Sequence, residues 1–253
     1  MLSPFSLLAN VGGFAYFAGQ ALFASINALL RPGNLLKQVH AVLIGALPLG
    51  IVTGIALGAV VWMHTHSVLA RYGSTEFLPT ALAAAVLLEL APLGAGLIVA
   101  ARTGSSLGAE LGTMKINEQI DALEMLGVSA QRVLVGPRVL ACIVALPILH
   151  IFISALALLS GYAAEQMSGG MNVLLYQSAC LRELNAHEVI LAGMKTLVFG
   201  FLIGVAGCYQ GLKADGGAEG VGTAATSAGV TACLLVIAAD VLVGGLIRGI
   251  IDN

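Results

Sequence analysis

Long apolar stretches alternate with short polar ones along this chain. Residues 40–63, 77–101, 139–164, 189–209 and 228–251 are apolar with few charges. At a rise of 1.5 Å per residue, each is long enough to cross about 30 Å of hydrocarbon as a helix. Gly and Ala recur through them, which suits close helix–helix approach in lipid. The period-two alternation of a membrane β-barrel is absent. The pattern predicts an all-α integral membrane protein with about five transmembrane helices. No repeat or linker divides it, so 1–253 reads as a single domain.

Residues 5–30 are also apolar, and no charge precedes Arg31. A cleavable leader begins with basic residues, so this segment reads as retained. Gln20 and Asn27 lie seven apart and share a helical face. The segment reads as either a sixth span or an N-terminal interfacial helix. Its aromatic residues, Phe14, Tyr16, Phe17 and Phe23 among them, favour the interface.

Composition sharpens the picture. The chain is 58% hydrophobic and 9% charged, whereas soluble domains carry roughly 25% charged residues. With a net charge of −2, nothing points to nucleic acid. Cys142, Cys180, Cys208 and Cys233 show neither metal-ligand nor disulfide spacing. If the N-terminus is cytoplasmic, Arg31, Lys37, Arg102, Lys115, Arg132, Arg138 and Lys213 fall inside, and Arg71, Arg182 and Arg248 outside. That excess places 102–138 and 210–226 in the cytoplasm and 165–187 outside.

Against this background, Glu110, Lys115, Glu118, Asp121 and Glu124 crowd into fifteen residues. Read as one helix over 114–126, the stretch puts Ile116, Ile120 and Leu123 on one face and Glu118, Asp121 and Glu124 in an acidic strip. Acidic side chains match anionic lipid headgroups poorly. The strip reads as a solvated loop helix or as a docking element for another protein.

Three ionisable residues, Glu89, Lys195 and Asp240, fall inside predicted spans. A charge at the bilayer centre costs about 2.5–3.5 kcal/mol on insertion scales, so these should face the bundle interior or pair. Lys195 with Glu89 or Asp240 would make a structural lock, and Glu89 equally suits a polar element beside a lipid headgroup path. Between the first two spans, Trp62 and Tyr72 suit interfacial anchors, and Val61, Leu69 and Tyr72 alternatively line an outward-open cavity. His64 and His66 point different ways on a helix, and no metal site is expected. No phosphate-binding G-x-x-x-x-G-K-[ST] loop occurs; the Gly-rich 216–222 reads as a flexible connection. ATP must then bind a separate subunit, and no cofactor is expected here.

The run ELAPLGAGLIVAARTGSSLGAELGTMKINEQIDALEMLGVSAQRVLVGPRVLA, with GLKADGGAEGVGTAAT at 211–226, resembles the MlaE-type permease family. These are membrane subunits of ABC transporters that move phospholipid or related lipids with Mce-type substrate-binding proteins. The match runs through Glu89, Pro92, Arg102, Gly104, Glu110, Gly112, Met114, Glu118–Leu123, Pro137 and Arg138. Leu88, Ala101, Ala130 and Thr223 depart from the usual Arg, Gly, Pro and Arg. The resemblance implies a non-enzymatic permease acting as a homodimer in the inner membrane, with a role in outer-membrane lipid asymmetry. It implies that 108–128 is a coupling helix carrying Glu110, Lys115, Glu118, Gln119, Asp121 and Glu124 to a cytoplasmic ABC ATPase. It also implies a lipid pathway along Val61, Leu69, Tyr72 and Glu89, and a periplasmic Mce-domain partner. Two other functions compete: another class of ABC permease, or an intramembrane enzyme using Glu89, His150 or Asp240.

Overall fold

The computed structural model describes residues 4–28, 32–168, 171–182 and 184–251. Arg31 lies outside them, as do the side chains of Asn27 and Arg248. All regular structure among them is helical: α1 (Pro4–Ala28), α2 (Pro32–Tyr72), α3 (Leu78–Ala85), α4 (Ala91–Val99), α5 (Ser105–Ile116), α6 (Gln119–Met125), α7 (Gly136–Met167), α8 (Val173–Leu181), α9 (Ala186–Leu212) and α10 (Gly217–Ile251). Three π-helical turns, Val86–Leu90, Ala100–Gly104 and Gln131–Val135, join α3 to α4, α4 to α5, and lead into α7.

Five helical stretches are long and apolar enough to cross a membrane: Pro32–Tyr72, Thr75–Ile116, Gln131–Met167, Ala186–Leu212 and Gly217–Leu246. They contain the first four predicted spans, and the fifth, expected over 228–251, begins earlier, at Gly217. There the Gly-rich stretch is not a loose connection. The chain turns at Gly216 and Gly217, with φ of 86° and 75°, values that only glycine adopts without strain. Asp215 Oδ1 accepts from the Gly216 amide at 2.8 Å, and 217–222 then open α10.

Residue-by-residue packing sets the helix directions. Gly50, Gly54 and Gly58 of α2 meet Leu149, Ile153 and Ala157 of α7 in rising order, so the first and third spans run parallel. Gly200 and Gly204 of α9 meet Cys142 and Val139 in falling order, so α9 opposes α7. Gly207 and Gly211 of α9 rise with Gly104 and Gly108, while Gly104, Gly108 and Gly112 fall along α10 from Ala232 to Val221. The five spans therefore alternate up and down. Residues 105–130 and 213–216 share one end of the bundle; 73–74 and α8 share the other.

The N-terminal helix meets its neighbours at the 105–130 end. Phe14 and Phe17 pack on the Tyr209 ring at 5.3 and 5.4 Å. Gln20 hydrogen-bonds Gln131, and Ala24 lies against Gly136. Its apolar stretch, Val11–Ile26, is shorter than the five spans. Tyr16 and Phe23 remain more than 70% exposed, and the Tyr16 ring, apolar with a polar tip, suits a membrane interface.

A Cβ at Gly58 would overlap the Ala157 carbonyl, whereas one at Gly193 meets nothing within 4 Å. Gly58→Val is expected to destabilise the detergent-purified protein by about 1–3 kcal/mol, the usual cost of overpacking. Gly193→Ala should leave its thermal melting unchanged.

Candidate functional site

The charged stretch is two helices, not one. The expected helix over 114–126 breaks at Asn117–Glu118, where Glu118 takes the left-handed φ of 57°. Lys115 Nζ meets Asp121 Oδ1 at 2.8 Å across the break. Ile120 drives the turn: it is 4% exposed and packs in a cluster with Leu111, Leu134 and Val135, with Met114 and Leu123 against its edge. A continuous helix from α5 would carry Ile120 onward with it; the turn folds it back against the start of the third span. Gly127, at φ 74°, ends α6, and the Val128 amide bonds back to the Leu123 carbonyl, satisfying one orphan acceptor.

This fold-back divides the predicted coupling residues. Glu118, Gln119, Asp121 and Glu124 are exposed. Met125 and Leu126 stand beside them at 85% and 79% exposure. Sequence periodicity missed these two, because a three-residue acidic repeat says nothing about a helix tip. Glu110 does not join the strip. Its Oε1 accepts from Arg138 Nη2 at 2.6 Å. A groove of roughly 280 Å³ lined by Thr113, Ile116, Asn117, Ala218 and Val221 lies beside the break. It joins the two stretches, 108–128 and 211–226, that stood out in the sequence.

Deeper in the bundle, the three intramembrane charges converge. Lys195 Nζ donates to Glu89 Oε2 at 2.8 Å and to Asp240 Oδ1 at 3.3 Å. The lysine takes both partners that the sequence offered as alternatives. Lys195 is 2% exposed. The Asp240 side chain is 16% exposed and that of Glu89 42%. The cation is thus sealed inside, and Glu89, on the first π-helical turn, keeps an accessible edge. Such turns recur at functional sites. His150, 4% exposed, lies 3.5 Å from Ser154 Oγ by its Nδ1.

At the opposite end from the charged stretch, Trp62 Nε1 donates to Glu165 Oε2 at 2.7 Å, and His66 stacks on the indole at 4.9 Å. Val61 packs against the main core, Leu69 is half-buried, and Tyr72 is 78% exposed. Glu89 sits below them on the next span. The four cysteines are free, three of them buried. Among the described residues no group of three His, Cys, Asp or Glu is placed to hold a metal ion.

A protein-family model described as Permease MlaE matches residues 35–246. The chain is 33% identical over 238 residues to a probable ABC transporter permease protein of Rickettsia typhi, covering 94% of this chain and 92% of that one. It is 31% identical to a probable ABC transporter permease protein of Synechocystis, covering 87% and 84%. It is 30% identical to the chloroplastic protein trigalactosyldiacylglycerol 1 of Arabidopsis thaliana, covering 88% of this chain and 64% of that one.

Removing Lys195 takes the shared cation away from two carboxylates. Lys195→Met is expected to destabilise the protein by about 3 kcal/mol, the low end for breaking a buried pair because Glu89 is part-exposed. Adding Asp240→Asn should recover part of that loss. Melting of the three detergent-purified proteins checks the order.

Proposed function

The chain belongs to the MlaE permease family, and from that premise we propose that it moves phospholipid or a related lipid between the inner membrane and a periplasmic Mce-type protein. As a permease of an ABC transporter it works with an ATPase partner. The observation that carries the proposal is the exposed tip of α6. Glu118, Asp121 and Glu124 project beside two bare apolar residues, Met125 and Leu126, at an end of the bundle that also holds most of the lysine and arginine. That excess supports a cytoplasmic assignment for this end. Charged and apolar groups side by side suit a protein groove better than a membrane surface: the apolar pair supplies an anchor, and the acids supply orientation.

The lipid assignment draws support from the Arabidopsis relative, whose name is that of a galactosylated diacylglycerol. Glu89 offers a polar edge at depth, and Val61, Leu69 and Tyr72 offer apolar and amphipathic surface at the outer end. Two copies complete the permease in this reading, because ABC ATPases act in pairs and this chain has five spans. A two-fold axis would bring the outer ends of both first spans together around the lipid.

Charge reversal by Glu118→Lys with Asp121→Lys is expected to abolish co-purification of the ATPase while the permease still inserts. Undiminished co-purification and ATP turnover would remove α6 from the docking surface. Photo-crosslinkers at Leu69 and Tyr72 should capture lipid well above one at Leu246, an exposed residue of α10. Equal capture at all three would reduce the outer α2 surface to ordinary bilayer contact.

A further inference from the structure

We propose that Arg138 is the positioning residue through which displacement of the α5–α6 element reaches the outer lipid path; the proposal rests on the permease reading above. Arg138 stands in the first turn of α7 and is 6% exposed. Its Nη1 donates to the Leu134 carbonyl at 2.9 Å and its Nη2 to Glu110 at 2.6 Å. One guanidinium therefore grips α5 and the π-helical turn 131–135 together. A planar fork with two directional bonds to different elements fixes their relative position in a way that a single ammonium does not. Its Nε finds no acceptor among the described residues.

The gripped turn is tied on a second side. Gln131 bonds Gln20 of α1, and the Gly136 Cα packs so closely on the Ala24 backbone that a Cβ would overlap it. A π-helical turn is also the part of a helix whose backbone bonding is least regular. Movement of α5 must carry this turn along or break a charge-assisted bond whose guanidinium is buried and whose carboxylate is half exposed.

From Arg138, α7 continues as one helix to Met167, with Pro147 removing a single ladder hydrogen bond on the way. Glu165, about 40 Å further along at 1.5 Å per residue, is 8% exposed and accepts the Trp62 indole N–H at 2.7 Å. Trp62 adjoins Val61. Between these ends, Gly50, Gly54 and Gly58 hold α2 against α7 with no free space, and close-packed interiors transmit displacement instead of absorbing it. Helix α7 is thus fastened to the docking element at one end and to the first span's outer end at the other.

The test uses the complete transporter reconstituted in vesicles, with ATP turnover and lipid transfer measured together. Arg138→Met is expected to retain the ATPase and its basal turnover, yet move about tenfold less lipid per ATP, within the usual range of site-to-site coupling. Arg138→Lys should restore part of that yield, since an ammonium can still serve one acceptor. Trp62→Phe keeps the ring and removes only the donor; it should lower the yield without changing turnover, and it carries the test should Arg138→Met fail to fold. An unchanged yield in Arg138→Met and Trp62→Phe, or a fall in turnover matching the fall in transfer, overturns the proposal. A wild-type transporter that hydrolyses ATP but transfers no lipid overturns the lipid-transport reading instead.

Discussion

Backbone-to-backbone contact through glycine is the constraint on which this molecule depends. Lipid tails are as apolar as the helix surfaces they cover, so burial alone does not hold spans together in a bilayer. Close contact does, and it requires that nothing project between the helices. Gly58 against Ala157, Gly200 against Cys142 and Gly108 against Ala224 leave no room for a side chain. Because such contacts lock in steps of one turn, they also set register. Register in turn decides that Lys195 arrives between Glu89 and Asp240, and that Trp62 arrives at Glu165.

The triad illustrates what register permits. A lysine that is 2% exposed would be too costly in a bilayer without partners. Here it joins three different spans, and the two carboxylates it satisfies are not equivalent. Asp240 is mostly enclosed, whereas Glu89 faces outward along one edge. The same interaction thereby stabilises the bundle and leaves one polar group accessible at depth. One side of Glu89 is taken by the ion pair and the other stays exposed.

Much of the architecture was legible because lipid imposes a simple code. The five spans, the apolar N-terminal helix and the unusual 108–128 stretch follow from hydrophobic length and charge placement. The break at Glu118 was not legible, because left-handed backbone at a non-glycine residue leaves no mark in the sequence; tertiary burial of Ile120 imposes it. The Gly-rich 216–222 read as a flexible connection, because composition does not show that Gly216 and Gly217 alone turn the chain and that α10 resumes directly after them. Lys195 had two candidate partners by depth alone, and only the angular arrangement of three helices shows that it takes both. The fork of Arg138 was equally hidden, since Pro137–Arg138 identifies the family without revealing that Glu110 turns towards it. The exposed tip at Met125 and Leu126 depends on where α6 stops, which the acidic repeat does not encode.

The two π-helical turns in the second span carry a geometric consequence. Each behaves as a single-residue insertion, and one residue corresponds to about 100° of rotation around a helix axis. An insertion of this kind shifts the angular phase of everything beyond it without altering the direction of travel. The second span therefore addresses two sets of neighbours in succession: α3 faces α8, where Thr80 bonds the Ala179 carbonyl, whereas α4 and α5 lie along α9 and α10, Gly96 meeting Phe199 and Val236 and Gly108 meeting Ala228. A straight helix with one apolar stripe could satisfy only one of these. Removing a single residue from either turn would preserve the length and greasiness of the span while rotating Glu89 or Glu110 out of alignment with its cation.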